Sequence, residues 1–162
     1  MRFGTRTDFG RRWMAKGYRP CGRQKIGYDY GYLSVAVNPV TGELFMLILP
    51  DMRAESFQTF VDEFQKFESE EVQLITDGAA SHRSKRIELE ERVELETLPA
   101  YSPQLNPAER FFQEVRRKLK NRVFESYEEV EKAVIEAVKP YLKDKQKVKS
   151  ITCYGWLLST PT

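Results

Sequence analysis

The apolar positions change period along the chain, and that change orders its elements. Residues 25–38 (KIGYDYGYLSVAVN) alternate and then run apolar with β-branched and aromatic side chains, which predicts a strand. Residues 43–49 (ELFMLIL) predict its partner, and Asn38-Pro39-Val40-Thr41-Gly42 between them has hairpin-turn chemistry. The stretch Arg11–Lys16, carrying Trp13 and Met14, reads as a further strand of that sheet. The period then shifts: Phe57, Phe60, Val61, Phe64 and Phe67 recur at the spacing of an amphipathic helix. Val72–Thr76 is a short apolar run of strand length. Residues 81–92 are charge-rich and predict a helix with Ile87 and Leu89 turned inward, and Val93–Leu98 predicts another strand. After the loop PAYSPQLNP, residues 107–122 predict a helix with Phe112, Val115 and Leu119 on one face. Ser126-Tyr127-Glu128-Glu129 is a capping box opening a helix that should stop near Pro140, and a last amphipathic stretch runs from Val148 to Leu158. Strands first, then helix and strand in alternation, imply an α/β fold: a mixed central sheet with an antiparallel hairpin and helices on both faces.

Length and composition narrow the class without naming a function. The 162 residues suit one domain with a core of its own, and 41% hydrophobic content argues against disorder. The longest apolar run, Leu44–Leu49, is far shorter than the ~20 residues of a membrane span, and residues 1–8 hold no apolar leader. Cys21 and Cys153 stand 132 positions apart and read as reduced thiols, so the expected location is cytoplasmic, with no membrane partner. A single His and two Cys cannot fill a Cys/His zinc site, which leaves oxygen ligands for any catalytic metal.

The net charge of +2 conceals segregation. Arg2, Arg6, Arg11, Arg12, Lys16, Arg19, Arg23 and Lys25 face a lone acid, Asp8, in the first 25 residues. From Arg110 to Arg122 the bases stand against Glu114 alone, and from Lys143 to Lys149 against Asp144. Such stripes suit a polyanion met along one face, although solvated helix faces give the same pattern.

Two carboxylates sit where chemistry would want them. Asp77 follows the strand VQLIT and precedes Gly78, at the strand end where α/β sheets bind ligands; Asp-Gly is also a common turn. Glu109 lies in Asn106-Pro107-Ala108-Glu109, where Asn106 as N-cap, Pro107 at the first helical position and Glu109 two residues on would form a reciprocal cap. The segment PAYSPQLNPAE shifts the balance, because three prolines preset much of a backbone that delivers one carboxylate to a helix start. A carboxylate there, beside one at a strand end, makes a plausible divalent-metal site for phosphodiester chemistry.

These residues carry a resemblance. ITDGAASH (75–82) followed by LPAYSPQLNPAERFF (98–112) resembles the core of DDE transposases, in particular bacterial insertion-sequence transposases of the mariner-like superfamily. Asp77 and Glu109, with 31 residues between them, match the family's second and third catalytic carboxylates, and the resemblance extends over residues 2–125. It implies an RNase H-like fold, which shares the element order above, two Mg²⁺ or Mn²⁺ ions, and DNA cleavage with strand transfer in DNA transposition. It also implies supporting roles for His82 and Asn106, while Arg110, Arg116, Arg117 and Lys120 are candidates for the DNA path. DNA is the implied partner, and a homodimer is possible.

The family's first catalytic Asp normally precedes the Arg-Phe-Gly segment, and here Arg2-Phe3-Gly4 follows only Met1. Neither that Asp nor the family's helix-turn-helix region is expected within these residues, and Asp8 and Asp29 do not match the Asp position. Metal binding is therefore expected to be weak, and strand cleavage by this polypeptide alone absent or nearly so. The alternative reading is a non-catalytic DNA-binding or dimerisation remnant of a decayed transposable element.

Overall fold

The computed structural model describes residues 1–19, 21–79, 82 and 87–155. Three strands, β1 (Arg2–Gly4), β2 (Tyr30–Val37) and β3 (Leu44–Leu49), form an antiparallel sheet in that order, with Arg2 opposite Tyr32 and Val35 opposite Met46. Helix α1 (Ala54–Phe67) leads to β4 (Val72–Thr76), which pairs in parallel with β5 (Val93–Thr97), Leu74 opposite Leu95. A single 3₁₀ turn (Pro103–Leu105) precedes α2 (Pro107–Leu119), α3 (Tyr127–Leu142) and α4 (Lys145–Thr152).

The alternation of β2 separates two cores. Leu33, Val35 and Val37 join Phe111, Val115, Val130 and Val134, which the three C-terminal helices bring to one face. Tyr32 and Ala36 turn to the other face, against Phe57, Phe60 and Val61 of α1. Phe64 of α1 then packs with Leu74 and Val93, tying the parallel pair to the same side. Helices therefore cover both faces, as expected. The strands form two ladders rather than one mixed sheet: among the described residues no pairing joins β4 to the antiparallel strands.

Several expected elements differ. Arg11–Lys16 forms no strand; Trp13 is fully exposed, and residues 8–12 are tied to Asn121 in place of a ladder. The Gly10 N–H donates to Asn121 Oδ1 at 3.2 Å, the Asn121 N–H to the Asp8 carbonyl at 2.8 Å, and Arg12 to the Asn121 carbonyl at 3.2 Å. Asn121 has φ 62, a left-handed conformation that asparagine tolerates. Residues 25–29 stay outside β2. The turn between β2 and β3 forms as expected, with Asn38 Oδ1 accepting from the Val40 and Thr41 N–H groups, both at 3.0 Å. Gly42 there has φ 78 and lies so close to the Lys145 carbonyl that no side chain fits.

Residues 87–90 are not helical, because glutamines of α1 take up their backbone groups. Gln58 accepts from the Glu88 N–H at 2.8 Å and Gln65 from that of Glu90 at 2.7 Å, while Leu89 faces solvent. The rest of the predicted 81–92 helix lies outside the described residues except His82, as does the last stretch beyond Gly155. Phe67, the last residue of α1, is exposed, although its ring lies 5.2 Å from that of Phe45. Helix α3 continues past Pro140, since a proline near a C-terminus removes only one hydrogen bond and buried Tyr141 anchors the last turn on Phe111 at 5.2 Å.

Candidate active site

Asp77 immediately follows β4, so strand geometry carries its backbone to the end of the parallel pair. Its Oδ1 accepts from the Ala79 N–H at 3.1 Å and from His82 Nδ1 at 2.7 Å. The His82 hydrogen bond is the largest influence on the Asp77 carboxyl; with the Ala79 amide it outweighs partial burial and holds the group below the usual carboxylate range. His82 is itself placed by packing: its side chain is 17% exposed and its ring lies 4.2 Å from that of Phe57 on α1. The helix thus positions the imidazole that positions the carboxylate. A ring held by a neighbour and donating through Nδ1 has a fixed orientation.

Glu109 arrives by a different route. Tyr101 is fully exposed at φ 60, a backbone state costing a non-glycine residue about 1–3 kcal/mol. Pro99, Pro103 and Pro107 restrict the chain on both sides of it. The loop ends in the 3₁₀ turn, and the Asn106 N–H donates to the Pro103 carbonyl at 3.1 Å. Asn106 caps α2 through Oδ1, which accepts from the Ala108 N–H at 3.0 Å. The expected reciprocal cap therefore forms in one direction only. The Asn106 N–H is already taken by Pro103, so the Glu109 carboxylate is not spent on capping. It turns instead to Arg116 Nη1 at 3.7 Å, two helical turns along the same face.

Both carboxylates are felt electrostatically at the start of β1. The Met1 amine, which donates to the Leu33 carbonyl at 2.6 Å, is pushed down to about 6, first by burial and then by Arg116, with Glu109 and Asp77 opposing. Asp77, Glu109 and Arg116 are thus within electrostatic reach of one point. Hard carboxylate oxygens suit Mg²⁺ or Mn²⁺, which take one or two carboxylates and retain waters. Among the described residues no group of three or more His, Cys, Asp or Glu gathers. The donor set fits such an ion in kind and falls short in number.

The basic residues divide. Arg116 belongs with the acids. Arg117 pairs with Glu114 at 2.8 Å, which raises its pKa, and Arg110 lies over the Tyr154 ring at 5.0 Å. Lys120 is exposed at the end of α2, beside Gly10. Sequence reasoning missed the Glu109–Arg116 pair, although their spacing on one helix was a usable signal. It also missed the Phe57–His82 contact, which joins residues distant in sequence and left no signal.

Comparison with known proteins bears on the fold and the family. Among solved structures, the Mos1 transposase paired-end complex with left transposon end is similar with a TM-score of 0.60 at 18% identity, over 95% of this chain and 54% of that one. The Mos1 Strand Transfer Complex gives 0.59 at 16% identity, over 96% and 54%. The Mos1 mariner paired end complex with Mn gives 0.55 at 18% identity, over 95% and 54%. The fold is therefore that of the Mos1 catalytic domain, RNase H-like, and the chain spans about half the length of these structures. The uncharacterized protein y4pE/y4sA of Sinorhizobium fredii (strain NBRC 101917 / NGR234) is 28% identical over 130 residues, which cover 78% of this chain and 96% of that protein. Among the described residues no helix is long and apolar enough to cross a membrane. The family model for DDE superfamily endonucleases matches residues 1–131, and the chain belongs to that family.

Proposed function

We propose that the chain is the catalytic core of a transposase, built for metal-dependent DNA cleavage and strand transfer, with Asp77 and Glu109 as metal-binding carboxylates. The observation that carries this reading is the placement of the acids in a chain of the DDE endonuclease family, one just after a strand end and one in a first helical turn where it is not spent on capping. A divalent ion held there would supply activation of an attacking oxygen and charge neutralisation at the leaving oxygen. His82 keeps Asp77 ionised and oriented, and Asn106 fixes the helix start that presents Glu109. Arg116 balances Glu109 while no cation is bound.

Two carboxylates hold an ion weakly, so the polypeptide of residues 1–162 by itself is expected not to nick supercoiled DNA in Mg²⁺. Reproducible nicking that disappears in Asp77→Ala would refute this expectation. The nucleotide sequence just upstream of the Met1 codon tests the enzyme reading: an Asp-Glu pair there, in frame or reached by a frameshift, supports it. DNA is the partner assigned, with phosphate contacts that make binding weak in sequence preference and steep in salt dependence. A homodimer is compatible with this reading, and sedimentation of the whole chain tests it.

A further inference from the structure

Beside the carboxylates lies an open cavity of about 230 Å³ whose rim carries Arg2, Arg6, Arg116 and Arg122, with Asp8 as the one lining acid. We propose that this cavity is a separate anion site, a cradle for one backbone phosphate of a DNA strand. The proposal rests on the transposase reading above for the identity of the polyanion, and on the cavity's own chemistry for the site.

Charge balance distinguishes these arginines from the other cations nearby. Arg117 is neutralised by Glu114, Lys118 donates to the Ala137 carbonyl at 2.8 Å, and Arg110 stacks on Tyr154. Among the described residues no carboxylate pairs with Arg2, Arg6 or Arg122. Two of the three are held in place by aromatic faces: the Arg2 guanidinium lies 4.6 Å from the centre of the Tyr30 ring, and that of Arg122 lies 4.9 Å from Phe124. Stacking leaves the edge N–H donors of a guanidinium free, which is the geometry that accepts phosphate oxygens.

The lining has a second useful property. Phe3, Leu119, Phe124 and Val130 supply an apolar wall, and low-dielectric walls strengthen the field of charges set around them. The volume is below the roughly 300–1,000 Å³ of pockets that enclose drug-sized ligands, so it admits a phosphate with adjoining sugar atoms while the base stays outside. Contacts of that kind position a strand without reading its sequence. Arg116 links the two sites, because it lines the cavity and also reaches Glu109 at 3.7 Å. A phosphate in the cradle therefore draws on the same guanidinium that balances Glu109.

The test is the salt dependence of DNA binding by the whole chain, measured by fluorescence anisotropy with a short labelled duplex in EDTA. Arg6→Gln/Arg122→Gln is compared with Arg6→Lys/Arg122→Lys and with Lys139→Gln/Lys143→Gln, a pair of bases away from the cavity. Circular dichroism confirms that each variant is folded. Between about 50 and 200 mM salt, losing one phosphate contact should reduce the log–log slope by about 0.9, equally for unrelated sequences. The Lys pair should keep the slope with weaker affinity, and the distant pair should keep both. An unchanged slope in the Gln pair, or an equal loss in the distant pair, overturns the cradle alone. Absence of DNA binding by the wild-type chain overturns both the cradle and the reading beneath it. Full displacement of DNA by inorganic phosphate would assign the cavity to a free anion and overturn the DNA-strand proposal.

Discussion

Asn106 connects the stability of α2 to the presentation of Glu109, and its substitution gives a graded prediction. In Asn106→Ala the acceptor for the Ala108 N–H at 3.0 Å disappears, which leaves a first-turn donor without its cap. N-cap losses of this kind cost about 0.5–2 kcal/mol, with ~1 typical. Pro107 moderates the effect, since the first helical position has no N–H to lose and its φ is already helical. With a urea m-value of about 1–3 kcal/mol/M, a loss of ~1 kcal/mol lowers the unfolding midpoint by roughly 0.3–1 M at constant m. Asn106→Asp keeps an acceptor and adds a negative charge at the helix N-terminus, so it should retain most of the midpoint. Urea unfolding followed by circular dichroism measures the series, and hydrogen exchange at the Ala108 amide reports the cap directly. The reasoning is refuted if Asp falls as far as Ala, or if the Ala108 amide is equally protected in all three proteins.

Phe111 is fully buried and meets Tyr141 edge-on, so Phe111→Ala should destabilise by about 3–5 kcal/mol in the same unfolding assay. Because the Asp77 pKa is lowered, its contribution is fully present above the ordinary value of 3.8 and is lost as pH falls through the folded-state value. A pH series of urea midpoints should therefore drop less steeply on the acid side in His82→Phe than in the wild type, and parallel curves would contradict the His82–Asp77 bond. Thr5 is buried and its hydroxyl finds no partner among the described residues, so Thr5→Val should be neutral or raise stability by about 1 kcal/mol, read as the thermal midpoint.

The parts of the fold that could be read from the chain are those where local pattern and tertiary partner agree. The alternation of Leu33, Val35 and Val37 marks a strand because α2 and α3 do cover that face. Trp13 and Met14 give Arg11–Lys16 strand-like bulk, yet among the described residues no strand pairs with them, and a strand without a partner does not form. Residues 87–90 carry a helix-compatible composition, but Gln58 and Gln65 offer their backbone better bonds from thirty and twenty-five positions away. The acids were legible because a proline-rich loop and a strand end are local signals. The one-way cap was not, because it depends on whether the Asn106 N–H finds Pro103 first. The arginine cavity was visible only in part: the basic excess of the first 25 residues is evident in the sequence, but which members share a cavity with Arg116 and Arg122 is decided by the tertiary fold.

In the proposed site Asp77 and Glu109 act on one divalent ion. Water-proton relaxation with Mn²⁺ measures this on the whole chain, without any catalytic step. Weak binding is expected in the wild type, with loss in Asp77→Asn and in Glu109→Gln, and no further loss when the two are combined, because partners on one ion are not additive. Asp8→Asn should bind as the wild type does. Unchanged affinity in either single variant, or an equal loss in Asp8→Asn, would contradict the site.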